Sequence, residues 1–271
     1  MKNEIKVKII QDSISDVGNR ITTFQLRYHR YIHAEVMTHR VFSRSASSSR
    51  AIPIKTIIGQ DWSNPATPKH WGANIPGMQA KTELTGWKLI QAKILWNLAS
   101  KISCILAYLL YKIGLHKQIG NRILEPFSFI NVIITSTDFE NFFELRVHAD
   151  AQPEIQELAD KMQQAMLTNI PTLLGYDQWH LPYITETEKL SYPDDVLLKL
   201  STARCARVSY SNHDGTNPNV EKDIDLHDKL VVSKPIHASP AEHQAYPLSN
   251  DSFCKNFRGW CQYRRILENE A

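Results

Sequence analysis

The sequence predicts an α+β chain, strands together with long helices, and three observations carry that expectation. Segments near 5–10, 20–24 and 129–134 alternate or run apolar as strands do. Trp87 to Ile113 and Pro153 to Thr168 repeat apolar residues at three- and four-residue intervals, the period of a helix. Neither G-x-G-x-x-G nor a phosphate-loop G-x-x-x-x-G-K occurs, so neither a dinucleotide-binding crossover nor a P-loop is supported. With 271 residues, 42% hydrophobic and 22% charged, the chain can bury a sizeable core and is expected to form a single domain over 1–271.

In chain order, Ile5 to Ile10 alternates charged with apolar residues and Arg20 to Phe24 is again β-rich, which suggests a hairpin at a sheet edge. From Phe24 to Arg40 the pattern drifts from strand-like to helical. Pro53, Pro65, Pro68 and Pro76 with several glycines make Ile52 to Gly77 an expected surface loop touching the site. Thr82 and Thr85 can cap the helical stretch that follows, and Gly114 and Gly120 punctuate its end. Its most apolar part, Ile102 to Ile113, is expected to be a buried helix, with Lys93, Lys101, Lys112 and Lys117 arguing against a membrane span. Phe129 to Ile134 reads as a strand, Asp138 to Arg146 as a short helix, and Pro153 to Thr168 as a strong one with proline in its first turn. A loop is expected around Tyr183 to Asp195. Val196 to Ser209 is apolar on one side, and Val220 to Ser233 is amphipathic and acidic.

The net charge of +3 is too mild to imply duplex nucleic acid as a partner, though a basic cleft for a small anion fits. Cys104, Cys205, Cys254 and Cys261 form no C-x-x-C pair, and no signal-like N-terminal run is present, so a cytoplasmic location is expected. Eleven histidines invite a metal, but no H-E-x-x-H or zinc spacing occurs, and none is expected.

Three blocks carry chemistry. The first, Thr38 to Arg50, packs three arginines, a histidine and five serines into thirteen residues. Guanidinium forks beside hydroxyls and backbone N–H groups suit phosphate oxygens; a solvated or phosphorylated serine-rich loop has the same composition. The second comprises Asn121-Arg122-Ile123-Leu124-Glu125-Pro126, Asn141-Phe142-Phe143-Glu144-Leu145-Arg146 and Ala151-Gln152-Pro153-Glu154-Ile155. The third is Ala206-Arg207-Val208-Ser209 with His237-Ala238-Ser239-Pro240-Ala241-Glu242-His243, where Ser-Pro-x-Glu also reads as a helix start.

Together these blocks resemble the flavin-dependent thymidylate synthases. Their signature is Arg-His-Arg, seven residues, then Ser, and Arg two further on, and His39, Arg40, Ser48 and Arg50 fall in that register. The second block is similar to the family's Ala-Arg-x-x-Leu-Pro, Asn-x-x-x-Leu-Arg and Ala-Gln-x-Glu-Ile. The third is similar to its Ala-Arg-Val-Ser and His-x-Thr/Ser-Pro-x-Glu-His. In the family the third block comes first, so this sequence reads as a circular permutation. Thr38, Ala46 and Thr135-Ser136-Thr137 depart from the family pattern and remove two cations expected near a cofactor diphosphate.

The resemblance implies an α+β fold of that family's type, a mixed sheet with long helices, and a homotetramer sharing its active sites. It implies a substrate, dUMP, held by Glu35, Ser47, Ser48, Ser49, Arg50, Arg122 and Arg146, with Ser48 and Arg146 catalytic. It implies FAD placed by His39, Arg40, Asn141, Ser209, His237 and Ser239, with methylenetetrahydrofolate and NADPH as co-substrates. The implied reaction is reductive methylation of dUMP to dTMP, without a cysteine nucleophile; Cys205 reads as a buried small residue. A flavin- and folate-dependent hydroxymethylase of a pyrimidine nucleotide, or a non-catalytic dUMP-binding relative, fits the same residues. The tail from Asn256 to Arg265 reads as a C-terminal helix with apolar contacts from Phe257, Trp260 and Tyr263, and its Arg258 and Arg264 are candidates to replace the missing cations.

Overall fold

The computed structural model describes residues 4–77, 80–211, 216–232 and 234–269. Strands β1 (Lys6–Ser15) and β2 (Arg20–His29) pair antiparallel around Gly18, whose φ of +88° is one that glycine adopts without strain. A register shift between Ile9 and Gln11 bends β1. After a 3-10 turn (Arg30–Ile32) come α1 (His33–Val36), β3 (Ser43–Ala46) and α2 (Ile54–Ser63). A single long helix, α3 (Gly86–Lys112), follows, then α4 (Lys117–Gly120) and a second 3-10 segment (Asn121–Phe127).

Strand β4 (Phe129–Ser136), α5 (Glu140–Arg146), α6 (Pro153–Thr168) and β5 (Thr172–Leu174) complete the first part of the chain. The rest is α7 (Glu186–Ser191), α8 (Asp194–Arg207), α9 (Val220–His227) running into a π-helical turn (Asp228–Val232), and a 3-10 turn (Ser239–Glu242). Short strands β6 (Ala245–Pro247), β7 (Phe253–Cys254), β8 (Phe257–Arg258) and β9 (Trp260–Gln262) lead into α10 (Tyr263–Asn269).

The main sheet has the order β3-β4-β2-β1-β5, with β5 alone parallel to its neighbour. The expected hairpin exists, but β2 lies at the centre of the sheet rather than at its edge. It pairs with β4 along eight residues, and both of its faces are covered. One face is apolar: Phe24, Leu26 and Tyr28 of β2 with Ile130, Val132 and Ile134 of β4 pack on Phe139, Phe142 and the Ile155, Leu158 and Met162 side of α6. The other face carries an unbroken chain of buried side-chain hydrogen bonds. Ser13 Oγ meets His180 Nδ1 (2.9 Å), His180 Nε2 meets Thr23 (2.8 Å), Thr23 meets Thr135 (2.7 Å), Thr135 meets His243 Nδ1 (2.8 Å), and His243 Nε2 meets Ser45 (3.0 Å). Burial holds both imidazoles uncharged at neutral pH, each with a pKa of about 3.

Several expectations are corrected. The loop expected over 52–77 contains α2, which starts directly after Pro53, a favourable place for proline. The loop around 183–195 contains α7, closed by a capping box between Thr185 and Glu188. The acidic helix beginning at Val220 ends at His227, and the expected end at Ser233 lies outside the described residues. The tail is not a helix over 256–265: Phe257 and Trp260 are buried on strands, and Gly259, at φ +70°, lies where a Cβ would come within 2.1 Å of the Asn19 amide.

The helix expected to be buried is largely exposed. Only Ser100, Cys104 and Ala107 of α3 are buried, facing Ile54 and Ile57 of α2, while Ile102 is 47% and Leu109 53% exposed, as are Ile94 and Leu95 earlier on the helix. By length and composition α3 could cross a membrane, with 17% of its most apolar window buried. Small residues and Trp96 face inward while many large aliphatic residues face outward, a choice that periodicity does not reveal.

Candidate functional site

Helix α5 ends at Arg146, and the preceding turn of chain at 33–39 brings two side chains to it. Arg146 Nε donates to His39 Nε2 (3.1 Å) and Arg146 Nη1 to Glu35 Oε2 (3.3 Å). His39 is buried, edge-on to Phe142 at 4.8 Å and beside Phe42. Burial, then the charges of Arg146 and Arg44, lower its pKa, so the imidazole is neutral and presents a lone pair to the guanidinium. Arg44 Nη1 ties the turn together through the carbonyls of Met37 (2.8 Å) and His39 (3.3 Å). Aromatic packing thus fixes His39, and His39 fixes Arg146.

Arg146 and Glu35 line a cavity of about 920 Å³, with Tyr31, His70, Trp96, Gln152 and Glu154 among its walls. The carboxylate of Glu154, 2% exposed, accepts from the Lys69 backbone N–H (2.6 Å), and Trp96 Nε1 donates to the Ala66 carbonyl (3.0 Å). These two bonds seat the segment after α2 over the cavity. Tyr31, His70 and Trp96 are wall residues that the sequence motifs did not single out. Only the proline-rich composition of the loop carrying His70 hinted at a role near a ligand.

A second cluster forms where residues 47–50 meet the turn at 121–127. Ser49 Oγ donates to Glu125 Oε1 (2.6 Å), Arg122 Nη1 to the same carboxylate (3.0 and 3.3 Å), and Arg30 lies 3.5 Å from it. Buried Asn121 holds the Ser49 carbonyl (2.6 Å) and that of Ile52 (3.0 Å) through Nδ2. Ser47 Oγ accepts from the Asn131 backbone (3.1 Å), Ser48 Oγ accepts from the Arg50 backbone (3.3 Å), and Ser48 and Arg50 are exposed. The structure therefore joins Ser49 to Arg122 and Arg146 to His39 and Glu35. Ser47, Ser48, Ser49, Arg50 and Arg122 are not among the cavity walls.

The remaining expected residues are dispersed. Arg40, Asn141 and His237 are exposed, and Ser239 opens the 3-10 turn that leads to buried His243. Ser209 closes the end of α8, its N–H on the Arg204 carbonyl (3.3 Å), after Val208 at φ +59°. Arg207 pairs with buried Asp223, which also accepts from fully buried Arg204 (3.0 Å); Arg204 in turn reaches Glu188 (2.6 Å). That arginine of the third block joins α8 to α9. Arg258 places its backbone N–H on Thr137 Oγ1 (3.0 Å), beside a position where the resembling pattern carries a cation, and pairs with Asp251. Arg264 is held by Glu242 and by Glu268 (2.6 Å). Cys205 is fully buried, with a thiol that burial makes hard to ionise, as expected for a packing residue.

No protein family matches this chain in sequence, and no curated protein does. Its fold is similar to that of a UMP/dUMP methylase, PolB from Streptomyces cacaoi, in two solved structures. The one bound with 5-Br UMP has a TM-score of 0.52 and 16% identity, covering 60% of this chain and 89% of the methylase chain. The one bound with 5-Br dUMP has a TM-score of 0.51 at 16% identity, covering 60% and 90%. The likeness is one of fold: a mixed sheet with long helices, as the sequence led one to expect.

Proposed function

We propose that this chain modifies a pyrimidine nucleotide, with dUMP as substrate, by adding a one-carbon group to the ring. The observation that carries the reading is the meeting of Arg146, His39 and Glu35, from separate sequence blocks, at the wall of a cavity of about 920 Å³. In this reading the Arg146 guanidinium, oriented by a neutral imidazole, stabilises negative charge that develops on the uracil oxygens when the ring is activated for attack through C5. Glu35 is placed to hydrogen-bond the ring edge or Arg146 itself. Ser49, Arg50 and Arg122 bind the phosphate. Ser47 and Ser48 lie beside them, and Ser48 is assigned a role at the ring when the assembled site is formed from more than one copy of the chain.

The cofactor is FAD, with methylenetetrahydrofolate and NADPH as co-substrates. Arg40, Asn141 and His237 are exposed donors suited to an anionic dinucleotide, and Arg258 meets Thr137 through its backbone N–H while its guanidinium pairs with Asp251. His39, Arg40, Asn141, Ser209, His237 and Ser239 would hold it, and Arg258, once released from Asp251, would supply a cation. When bound, the flavin would supply reducing equivalents and mediate one-carbon transfer. Methylation to dTMP and hydroxymethylation of the same ring are supported comparably by the fold likeness and the site. We also read the block order as a circular permutation, the assembly as a homotetramer and the location as cytoplasmic.

The test is the visible absorption spectrum of the purified protein before and after adding FAD. A flavin band that stays with the protein through gel filtration is expected. A colourless protein that still binds dUMP would withdraw the catalytic reading in favour of a nucleotide-binding one.

A further inference from the structure

We infer that in the resting chain the carboxylate of Glu125 occupies the anion site meant for the nucleotide's phosphate, so that substrate must displace an acidic side chain of the protein itself. This rests on the pyrimidine-nucleotide reading above. The residues assigned to the phosphate are not empty-handed: Ser49 Oγ (2.6 Å) and Arg122 Nη1 (3.0 and 3.3 Å) both donate to Glu125, and Arg30 approaches to 3.5 Å. Two hydrogen-bond donors and a third cation converging on one pair of oxygens is the arrangement that a phosphate would ask of the same side chains. The motif that Asn121 to Pro126 resembles carries leucine where this chain has Glu125. The acid is therefore a property of this sequence rather than of the motif.

The geometry is built for exchange. Glu125 stands on a 3-10 turn directly before Pro126, which restricts its backbone, and its side chain is partly open to solvent. Its pairing with Arg122 is weak because the Arg122 side chain is 56% and that of Glu125 25% exposed, where solvent screens the attraction. The cradle beneath is rigid: Asn121 is fully buried and clamps the Ser49 carbonyl, and its own Oδ1 finds no partner among the described residues. A phosphate dianion brings more charge to these donors than the carboxylate does. Once displaced, Glu125 remains nearby and its charge opposes the bound phosphate. Glu125 thus lowers affinity for phosphorylated ligands and leaves the bare nucleoside unaffected.

Calorimetric titration of dUMP and of deoxyuridine into the full chain, its Glu125→Gln variant and its Arg122→Ala variant tests this. Glu125→Gln keeps the shape and removes the charge. It is expected to bind dUMP about tenfold more tightly than the parent, with deoxyuridine unchanged, while Arg122→Ala binds dUMP more weakly. Unchanged or weaker dUMP binding by a folded Glu125→Gln protein, with Arg122→Ala still impaired, overturns the Glu125 inference alone and makes the acid a positioning residue for Arg122. Absence of dUMP binding by all three proteins overturns the nucleotide reading and this inference with it. Should Glu125→Gln fail to fold, a crystal of the parent chain with dUMP decides: Glu125 turned away from Ser49 supports the inference, and Glu125 in place with the phosphate elsewhere refutes it.

Discussion

Arg146 and Arg122 carry the same charge in two different settings, and under the proposed function the contrast separates a residue for chemistry from one for binding. The Arg146 side chain is 21% exposed, backed by a neutral histidine and set in a cavity wall. That of Arg122 is 56% exposed and pairs with an acid three residues away on its own turn. A charge fixed in a sheltered site acts strongly on charge developing beside it, whereas an exposed one is screened and contributes to attraction more than to rate. What differs is the support: Phe42, Phe139 and Phe142 behind the first, solvent around the second.

The largest expected effect breaks that support. Phe142→Ala should lower unfolding stability by about 3–5 kcal/mol, the cost of emptying a fully buried aromatic site, and should free His39 to move. Urea unfolding measures it, and a loss below about 1 kcal/mol would mean that the aromatic cluster does not anchor the site. Next, Arg146→Ala should reduce kcat by about 10²–10³-fold, on the order of 3–4 kcal/mol, with a smaller change in KM. Loss confined to KM would reassign Arg146 to the binding group. Arg50→Ala should weaken dUMP by about 1.5–3 kcal/mol while leaving stability alone, the scale of one charged hydrogen bond. Unchanged affinity would remove residues 47–50 from the phosphate site.

The smallest effect concerns the fold behind the site and comes from pH. Burial lowers the pKa of His180 and His243 to about 3 and that of His29 to about 4, so the unfolded chain takes up protons that the folded chain refuses. Their contribution is fully present above the ordinary histidine range near 6.5 and is lost as pH falls below it. Asp61, raised by burial to about 7, works in the opposite sense, since its folded form holds a proton that the unfolded form releases. These three histidines against one aspartate leave a net loss on the order of 1 kcal/mol between pH 7 and pH 6, and His33, His39 and His227, also lowered by burial, act in the same direction. Thermal melts at the two values check this; equal or greater stability at pH 6 would contradict it.

Much of this arrangement was legible in the sequence, and the failures share a cause. Helix α6 runs over Pro153–Thr168 as expected, because proline, periodicity and a strong amphipathic stripe agree. The spacing of His39, Ser49, Arg122 and Arg146 pointed to residues that the fold brings into two clusters. Periodicity gives a helix its faces without saying what covers them, so the outward turn of Ile94 and Leu95 was invisible. Ser13, Thr23, Ser45 and Thr135 are small polar residues whose burial no local pattern announces, and their partners His180 and His243 lie far away in sequence. The cavity walls at His70 and Trp96 depend on long-range docking, of Lys69 on Glu154 and of Trp96 on Ala66, and the contact of Glu125 with Ser49 joins residues 76 apart in sequence. Local signals end where partners distant in sequence decide the environment.

The most direct test of the central claim is mass analysis of dUMP after incubation with the FAD-loaded protein, methylenetetrahydrofolate and NADPH, with Arg146→Ala run in parallel. A nucleotide heavier by a methyl or hydroxymethyl group, formed by the parent chain and nearly abolished in the variant, is the predicted result. Unaltered dUMP in the presence of bound flavin, or equal product from both proteins, would contradict it.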